Sequence, residues 1–255
     1  MKRNLLFLLL VVGLLLSGCS KAAQNEVSIK SASVNTNGTI HIEGSGRAFE
    51  STIGVKIVDG LNNNLYEGPV VTNASDMSKI GDFVLDASLR IFPQTDTISV
   101  ECFVTSPKDG SITASDTTIV NYNVPFKKIE VYYGNTVLNK DMIDCTKVFP
   151  VARRISENSK NPVLDSVMLL INGPTKQELT DGYFASTPNN LTVNFVKETG
   201  NSIQVDFGKE LMDVGGGSCK VGAIRAEITR TVNYLKPGYQ VIISSNGNVD
   251  EVLQP

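Results

Sequence analysis

Val221-Gly222-Ala223-Ile224-Arg225-Ala226-Glu227-Ile228-Thr229-Arg230-Thr231-Val232-Asn233-Tyr234-Leu235 carries the strongest helical pattern in the chain. Val221, Ile224, Ile228, Val232 and Leu235 keep one apolar stripe for about four turns, and Arg225, Glu227 and Arg230 are read as lying off it. Gly215-Gly216-Gly217-Ser218 precedes the stretch, with Ser218 expected as N-cap, and Pro237-Gly238 ends it. A helix this long is foreign to the strand pattern of the first half of the chain. It therefore marks the C-terminal region as α+β. Working outward, Tyr239 to Ser245 reads as a final strand. Upstream, Leu191, Val193 and Phe195 alternate, as do Ile203, Val205 and Phe207, with Glu198-Thr199-Gly200-Asn201 between them, which predicts a β-hairpin. Leu164, Val167, Met168 and Ile171 predict another helix, opened by Pro162 and stopped by Asn172-Gly173-Pro174. Ile129 to Tyr133 and Lys147 to Ile155 read as strands. The expectation is a small sheet with helices packed on one face, over residues 129–253.

Residues 27–122 follow a different rule. Apolar residues recur with period two and turn residues interrupt them every eight to twelve positions, the habit of an antiparallel β-sandwich. Ile40 and Ile42 alternate with polar neighbours, as do Val55 and Ile57; Phe83, Leu85 and Leu89 mark a later strand. Ile98, Val100, Cys102 and Val104 form the clearest strand, which makes Cys102 a small buried hydrophobe. Asp59-Gly60-Leu61-Asn62-Asn63-Asn64 lacks the Glu and the spacing of an EF-hand loop and reads as a hairpin connection. Residues 123–128, with Pro125 and two lysines, are the expected linker.

At the N-terminus, Lys2 and Arg3 precede an apolar run from Leu5 to Leu16. The run is about 12 residues, short of the roughly 17 to 25 that span a bilayer, so residues 1–18 read as a signal peptide. Leu16-Ser17-Gly18-Cys19 resembles the bacterial lipobox, which implies that the Cys19 sulfur receives a diacylglyceryl group and that the mature chain begins there. Two acyl chains anchor stably where one does not. The expected location is the extracytoplasmic face of the bacterial cell membrane, with membrane lipid as a partner through Cys19. The tether, residues 19–26, reaches about 25 Å at most, which keeps the sandwich near the lipid and presents the α+β domain outward.

Composition narrows the chemistry. Removing Lys2 and Arg3 takes the formal charge from -3 to -5, so nothing suggests a nucleic-acid partner. His41 is the only histidine, which excludes a His-rich zinc site and leaves any Ser-His-Asp triad dependent on it. With Cys19 assigned to lipid, Cys102, Cys145 and Cys219 remain: either all are free or two pair. Cys145 and Cys219 share a domain, away from His41, and a disulfide between them is expected; closing about 74 residues, it would stabilise by roughly 4 kcal/mol. Asp206, Glu210 and Asp213 cluster near the glycine loop, and Asp165 and Glu178 lie in and just after the first helix; solvated surface charge is the expectation for all five. The glycine run is neither a P-loop nor a dinucleotide fingerprint. No catalytic set, metal site or cofactor is expected.

Two further resemblances bear on function. Gly44-Ser45-Gly46-Arg47-Ala48-Phe49-Glu50, the strand from Val55 to Asp59, Gly81-Asp82-Phe83 and Phe103 to Gly110 resemble the immunoglobulin-like domain of bacterial spore germination, without the core Trp and cysteine pair of antibody-type domains. Val131-Tyr132-Tyr133, Val148 to Arg154, Leu169 to Thr175 with Glu178 and Gly182, Val205-Asp206-Phe207 and Gly216-Gly217-Ser218-Cys219 resemble the GerMN domain of sporulation and spore germination proteins. That family often carries two copies; this chain has one. The resemblance implies a non-enzymatic, membrane-anchored lipoprotein that docks with envelope or sporulation proteins, and self-association or docking to a ring. Two other readings stand beside it: binding of a wall glycan or germinant through the sandwich loops, and hydrolysis of peptidoglycan by the carboxylates from Asp206 to Asp213.

Overall fold

The computed structural model describes residues 26–249, 252 and 253. The signal peptide, Cys19 and the tether as far as residue 25 lie outside the described residues. The first domain has strands β1 (Glu26–Val34), β2 (Ile40–Arg47), β3 (Thr52–Asp59), β4 (Asn64–Val71), β5 (Gly81–Ala87), β6 (Thr97–Thr105) and β7 (Ile112–Asn121). One sheet has the order β1-β2-β5 and the other β4-β3-β6-β7, all neighbours antiparallel. Alternation sends Ile40 and Ile42, Ile53, Val55 and Ile57, and Ile98, Val100, Cys102 and Val104 into the core. Each such aliphatic side chain contributes about 1.5 to 3 kcal/mol of burial. Cys102 is buried and free, its thiol pushed up to about 12 first by burial and then by Asp116 and Glu101. Leu89 falls beyond β5. The strand β4 has weak alternation and starts at Asn64, within the stretch read as turn.

Asp59 explains that turn. It is buried at the end of β3, where Oδ1 accepts from the N–H groups of Leu61 (2.9 Å) and Asn63 (3.0 Å) and Oδ2 from the Asn63 amide (2.9 Å) and the Gln94 N–H (2.9 Å). One carboxylate thus closes the connection and binds a second loop to it.

The second domain has β8 (Phe126–Asn135), β9 (Phe149–Ser156), α1 (Pro162–Asn172), α2 (Lys176–Thr180), β10 (Tyr183–Phe184), β11 (Val193–Thr199), β12 (Ser202–Phe207), α3 (Ser218–Leu235) and β13 (Gln240–Ser245). Its strands divide into two three-stranded sheets, β10-β8-β9 and β11-β12-β13, with β13 parallel to β12. Helices α1 and α3 pack on each other, and each touches strands of both sheets. Strand β8 begins at Phe126, three residues before the expected strand, because Phe126 to Lys128 pair with Ser156 to Arg154.

Contact on more than one side changes which residues of the helices are buried. In α1 the structure buries Val163, Ser166, Val167, Leu169, Leu170 and Ile171 and leaves Leu164 and Met168 half-buried, a correction to the expected stripe. Asn161 caps this helix, its side chain accepting from the Leu164 N–H, and Gly173 follows at φ +85°, a conformation that favours glycine. In α3 the N-cap is Gly217, with no side-chain cap bond; Ser218, expected as N-cap, is the first helical residue. Glu227, expected off the stripe, is fully buried. Helix α2 was not expected, although Thr175 and Glu178 spell a capping box and both of its bonds are present.

Candidate functional site

Three enclosed carboxylates, Glu227, Glu178 and Asp206, organise the interior of the second domain. Glu227 of α3 accepts from the N–H groups of Ser186 (2.8 Å) and Thr187 (2.8 Å), the Thr187 hydroxyl (2.7 Å) and the Gly134 N–H of β8 (3.4 Å). It anchors the loop after β10 to the helix. Burial pushes its pKa up, against the opposing pull of those donors. Glu227 lies to one side of the apolar stripe of α3 and is enclosed because that helix is contacted on more than one side.

Glu178 meets Arg153 of β9. The pair is bidentate, Nη1 to Oε1 at 2.7 Å and Nη2 to Oε2 at 2.6 Å, with Arg153 only 6% and Glu178 19% exposed. Glu178 Oε2 also accepts from the Thr175 N–H at 2.8 Å, and the guanidinium lies 5.8 Å from the centre of the Tyr133 ring. The Tyr133 hydroxyl reaches the carbonyls of Leu169 (3.0 Å) and Leu170 (3.1 Å) at the end of α1. Burial raises the Glu178 pKa, but Arg153 and Thr175 more than offset it and hold the carboxyl below its ordinary value. The expectation of a solvated surface charge is therefore wrong for Glu178. A capping box next to an Arg-bearing strand was the legible signal.

Beside this pair the two domains meet. Gln94, in the loop before β6, pairs with the backbone of Arg154 as a strand would: its amide donates to the Arg154 carbonyl (3.0 Å) and its Oε1 accepts from the Arg154 N–H (2.8 Å). The Arg154 guanidinium bonds Asp96 at 2.6 Å and lies 4.3 Å from the centre of the Phe126 ring. Asn172 donates to Asn63 (2.8 Å), while the Glu157 N–H, continuing the ladder of β8 and β9, holds the linker through the carbonyl of Pro125 (3.0 Å). These bonds make the sandwich and the α+β domain neighbours with a defined contact.

Most of the other sequence candidates are dispersed. Asp206 is buried, and its carboxylate accepts from Ser244 (2.6 Å), the Gly247 N–H (2.8 Å) and Asn194 (2.9 Å). Burial raises its pKa, but Ser244, Asn194 and Gly247 outweigh that and hold it below the usual carboxylate range. It is an internal strut, not the solvated charge expected. Glu210 and Asp213 line a shallow hollow with Lys220, and Glu210 Oε2 has no hydrogen-bond partner among the described residues. Asp165 lines a groove between the domains with Arg90. His41 lies on β2 between Asp86 and Glu43. Cys145 and Cys219 are joined, with Cα atoms 5.3 Å apart, linking the loop before β9 to the first turn of α3. Among the described residues there is no group of three or more acids, cysteines or histidine placed to hold a metal ion.

Residues 30–111 match the model of the family described as the immunoglobulin-like domain of bacterial spore germination, and residues 130–251 match that of the family described as sporulation and spore germination. The chain carries both family domains. These matches support a sporulation-related role. Among solved structures it is similar to the tandem GerMN domains of the sporulation protein GerM from Bacillus subtilis, with 18% identity over 51% of this chain and a TM-score of 0.37. It spans 45% of that structure's length. It is also similar to a candidate lipoprotein from Clostridium perfringens, with 14% identity, 51% of this chain and 80% of that one covered, and a TM-score of 0.30. No curated protein matches the chain. Within the GerMN domain, Arg153, Gly173, Thr175 and Glu178, which carried the resemblance, hold β9, the end of α1 and α2 together.

Proposed function

We propose that this chain is a lipid-anchored, non-catalytic module that docks with other envelope proteins during sporulation or spore germination. The observation that carries the reading is the use made of the enclosed carboxylates. Asp206, Glu178 and Glu227 are each occupied by donors of their own fold, so the best-enclosed acids hold structure together, and the solvent-facing surfaces are left for contact. The bonded contact between the domains supports the same reading, since a docking module transmits position best when its parts are fixed to each other. The membrane is the partner expected through Cys19, and the location expected is the extracytoplasmic face. A deletion strain tests the proposal: reduced spore yield or an impaired germinant response is expected, restored by the intact gene and not by Cys19→Ala. Normal sporulation and germination in the deletion strain would count against it. Release of fragments from cell-wall material by the purified protein would replace it with the hydrolase reading.

A further inference from the structure

The sandwich has two ends, and they differ. One carries Asn63, Phe92 and Gln94 and is taken up by the second domain. Strand register fixes what lies at the other: Glu26 opposite Arg47, Gly46 opposite Gly81, Thr52 opposite Val71, and Thr105 opposite Ile112. The first described residue, Glu26, therefore emerges among the loops that join β2 to β3, β4 to β5 and β6 to β7. The first two of these loops are bonded together, the Thr72 N–H to the Ser51 carbonyl at 2.8 Å and Arg47 to the Ser78 carbonyl at 3.4 Å.

This end is apolar for a surface. Phe49 is 49% exposed, Val71 66%, Met77 55%, Ile80 52% and Ile112 56%. Phe49 leads directly into Glu50 and Ser51 at φ +53° and +54°, a backbone uncommon for residues other than glycine, so a strained turn holds an aromatic side chain out at the tip. Most charges here are matched in pairs, Arg47 with Glu26 at 3.1 Å, Lys79 with Asp76 at 3.6 Å and Lys30 with Asp82 at 2.6 Å; Lys108 and Asp109 stand side by side in the loop from β6 to β7, and Glu50 beside Phe49 is the one surplus charge. Neither an acidic nor a basic partner is favoured. A surface of aromatic and aliphatic side chains rimmed by neutralised charge suits the boundary between lipid headgroups and acyl chains.

Chain length selects that occupant. Cys19 lies seven residues before Glu26, so a lipid on Cys19 can be no more than about 25 Å from this end of the sandwich. We propose that the end bearing Phe49, Val71, Met77, Ile80 and Ile112 rests in the headgroup layer of the membrane that holds Cys19. This inference rests on the anchoring reading above and goes further, because it makes the sandwich a spacer in fixed orientation, with the α+β domain at its outer end.

The chain has no tryptophan, so a single introduced one reports alone. The full chain is purified with its lipid, the diacylglyceryl group on Cys19 is verified by mass spectrometry, and the protein is reconstituted into vesicles of phosphatidylethanolamine and phosphatidylglycerol with brominated acyl chains. The Phe49→Trp variant, and Met77→Trp as a second reporter should the first misfold, is expected to show blue-shifted emission and loss of intensity to the brominated lipid. Leu61→Trp, at the opposite end, is expected to show neither. Replacing phosphatidylglycerol by a neutral lipid leaves the quenching in place. A lipidated chain in which both reporters stay unquenched overturns this inference alone. A chain that carries no lipid and stays in the soluble fraction overturns the anchoring reading and this inference with it.

Discussion

His41 is unique in the chain, so its titration can be followed without assignment. The hydrogen bond that its ring donates to Asp86, 2.8 Å from Nδ1, and a longer one to Glu43 raise its pKa above 6.5. A raised folded value means that the stability it contributes is complete below 6.5 and is lost as pH rises through the folded value. An NMR titration of its ring proton should place the midpoint above 6.5, and Asp86→Asn should return it toward that value. The buried acids behave differently from each other. Glu178, held below its ordinary value, contributes stability that is present above 4.5 and lost as pH falls through its folded value. Glu227, pushed up by burial, works in the opposite sense: its contribution is complete below 4.5 and declines as pH rises through its folded value. Arg153→Ala leaves Glu178 half-buried without its charge partner and with only the Thr175 N–H, at a cost of about 3 kcal/mol, and moves the pH dependence of urea unfolding, since the pair no longer weakens in acid. Local pattern could have flagged Glu178 by its capping box, but not Glu227, which lies off the apolar stripe of α3. What no pattern could supply is the donor set, because Ser186, Thr187, Gly134 and Arg153 lie 25 to 93 residues away.

At the scale of elements, strand glycines oppose aromatic rings at three places: Gly44 faces Phe83, Gly54 faces Phe103 and Gly134 faces Phe184. A ring covering a strand glycine restores the apolar contact that the missing side chain forgoes. A Cβ at Gly44 would come within 2.3 Å of the Phe83 ring and 2.6 Å of the Ser28 carbonyl, whereas at Gly54 its nearest neighbours are all atoms of the Phe103 ring, from 2.5 Å. A ring tip can move and a paired backbone cannot. Thermal unfolding should therefore show Gly44→Ala destabilising by about 2 to 3 kcal/mol, and Gly54→Ala by less. The link between Cys145 and Cys219 joins the loop before β9 to α3, and intact mass after alkylation, with and without reductant, should show both thiols protected only in the untreated protein. Two free thiols in the untreated protein would refute it. Most elements were legible from period and punctuation, including the hairpin of β11 and β12, the Pro-led α1 and α3. Strands β1, β4, β7 and β10 and helix α2 were not: the alternation of β4 is weak, β1 and β7 bury no residue fully, and β10 and α2 are too short to establish a period.

For the whole molecule, the contact between the domains depends on a side chain acting as backbone. Gln94→Ala removes both bonds to Arg154, and small-angle scattering should then show a broader distribution of interdomain distances while each domain melts as before. The sequence by itself determined the two fold classes, because strand alternation, helix stripes and turn residues are local and repeat along the chain; the families rest on the motifs that carry the resemblance and on the matches to their models. The chain's single histidine also excluded a His-rich metal site, and its negative net charge gave no expectation of a nucleic-acid partner. Only the tertiary structure decided that the enclosed carboxylates are structural, that the helices contact two sheets, and that one end of the sandwich meets the second domain while the other faces the tether. Each depends on which distant residues come together. That is set by packing around a shared core, and no local period encodes it.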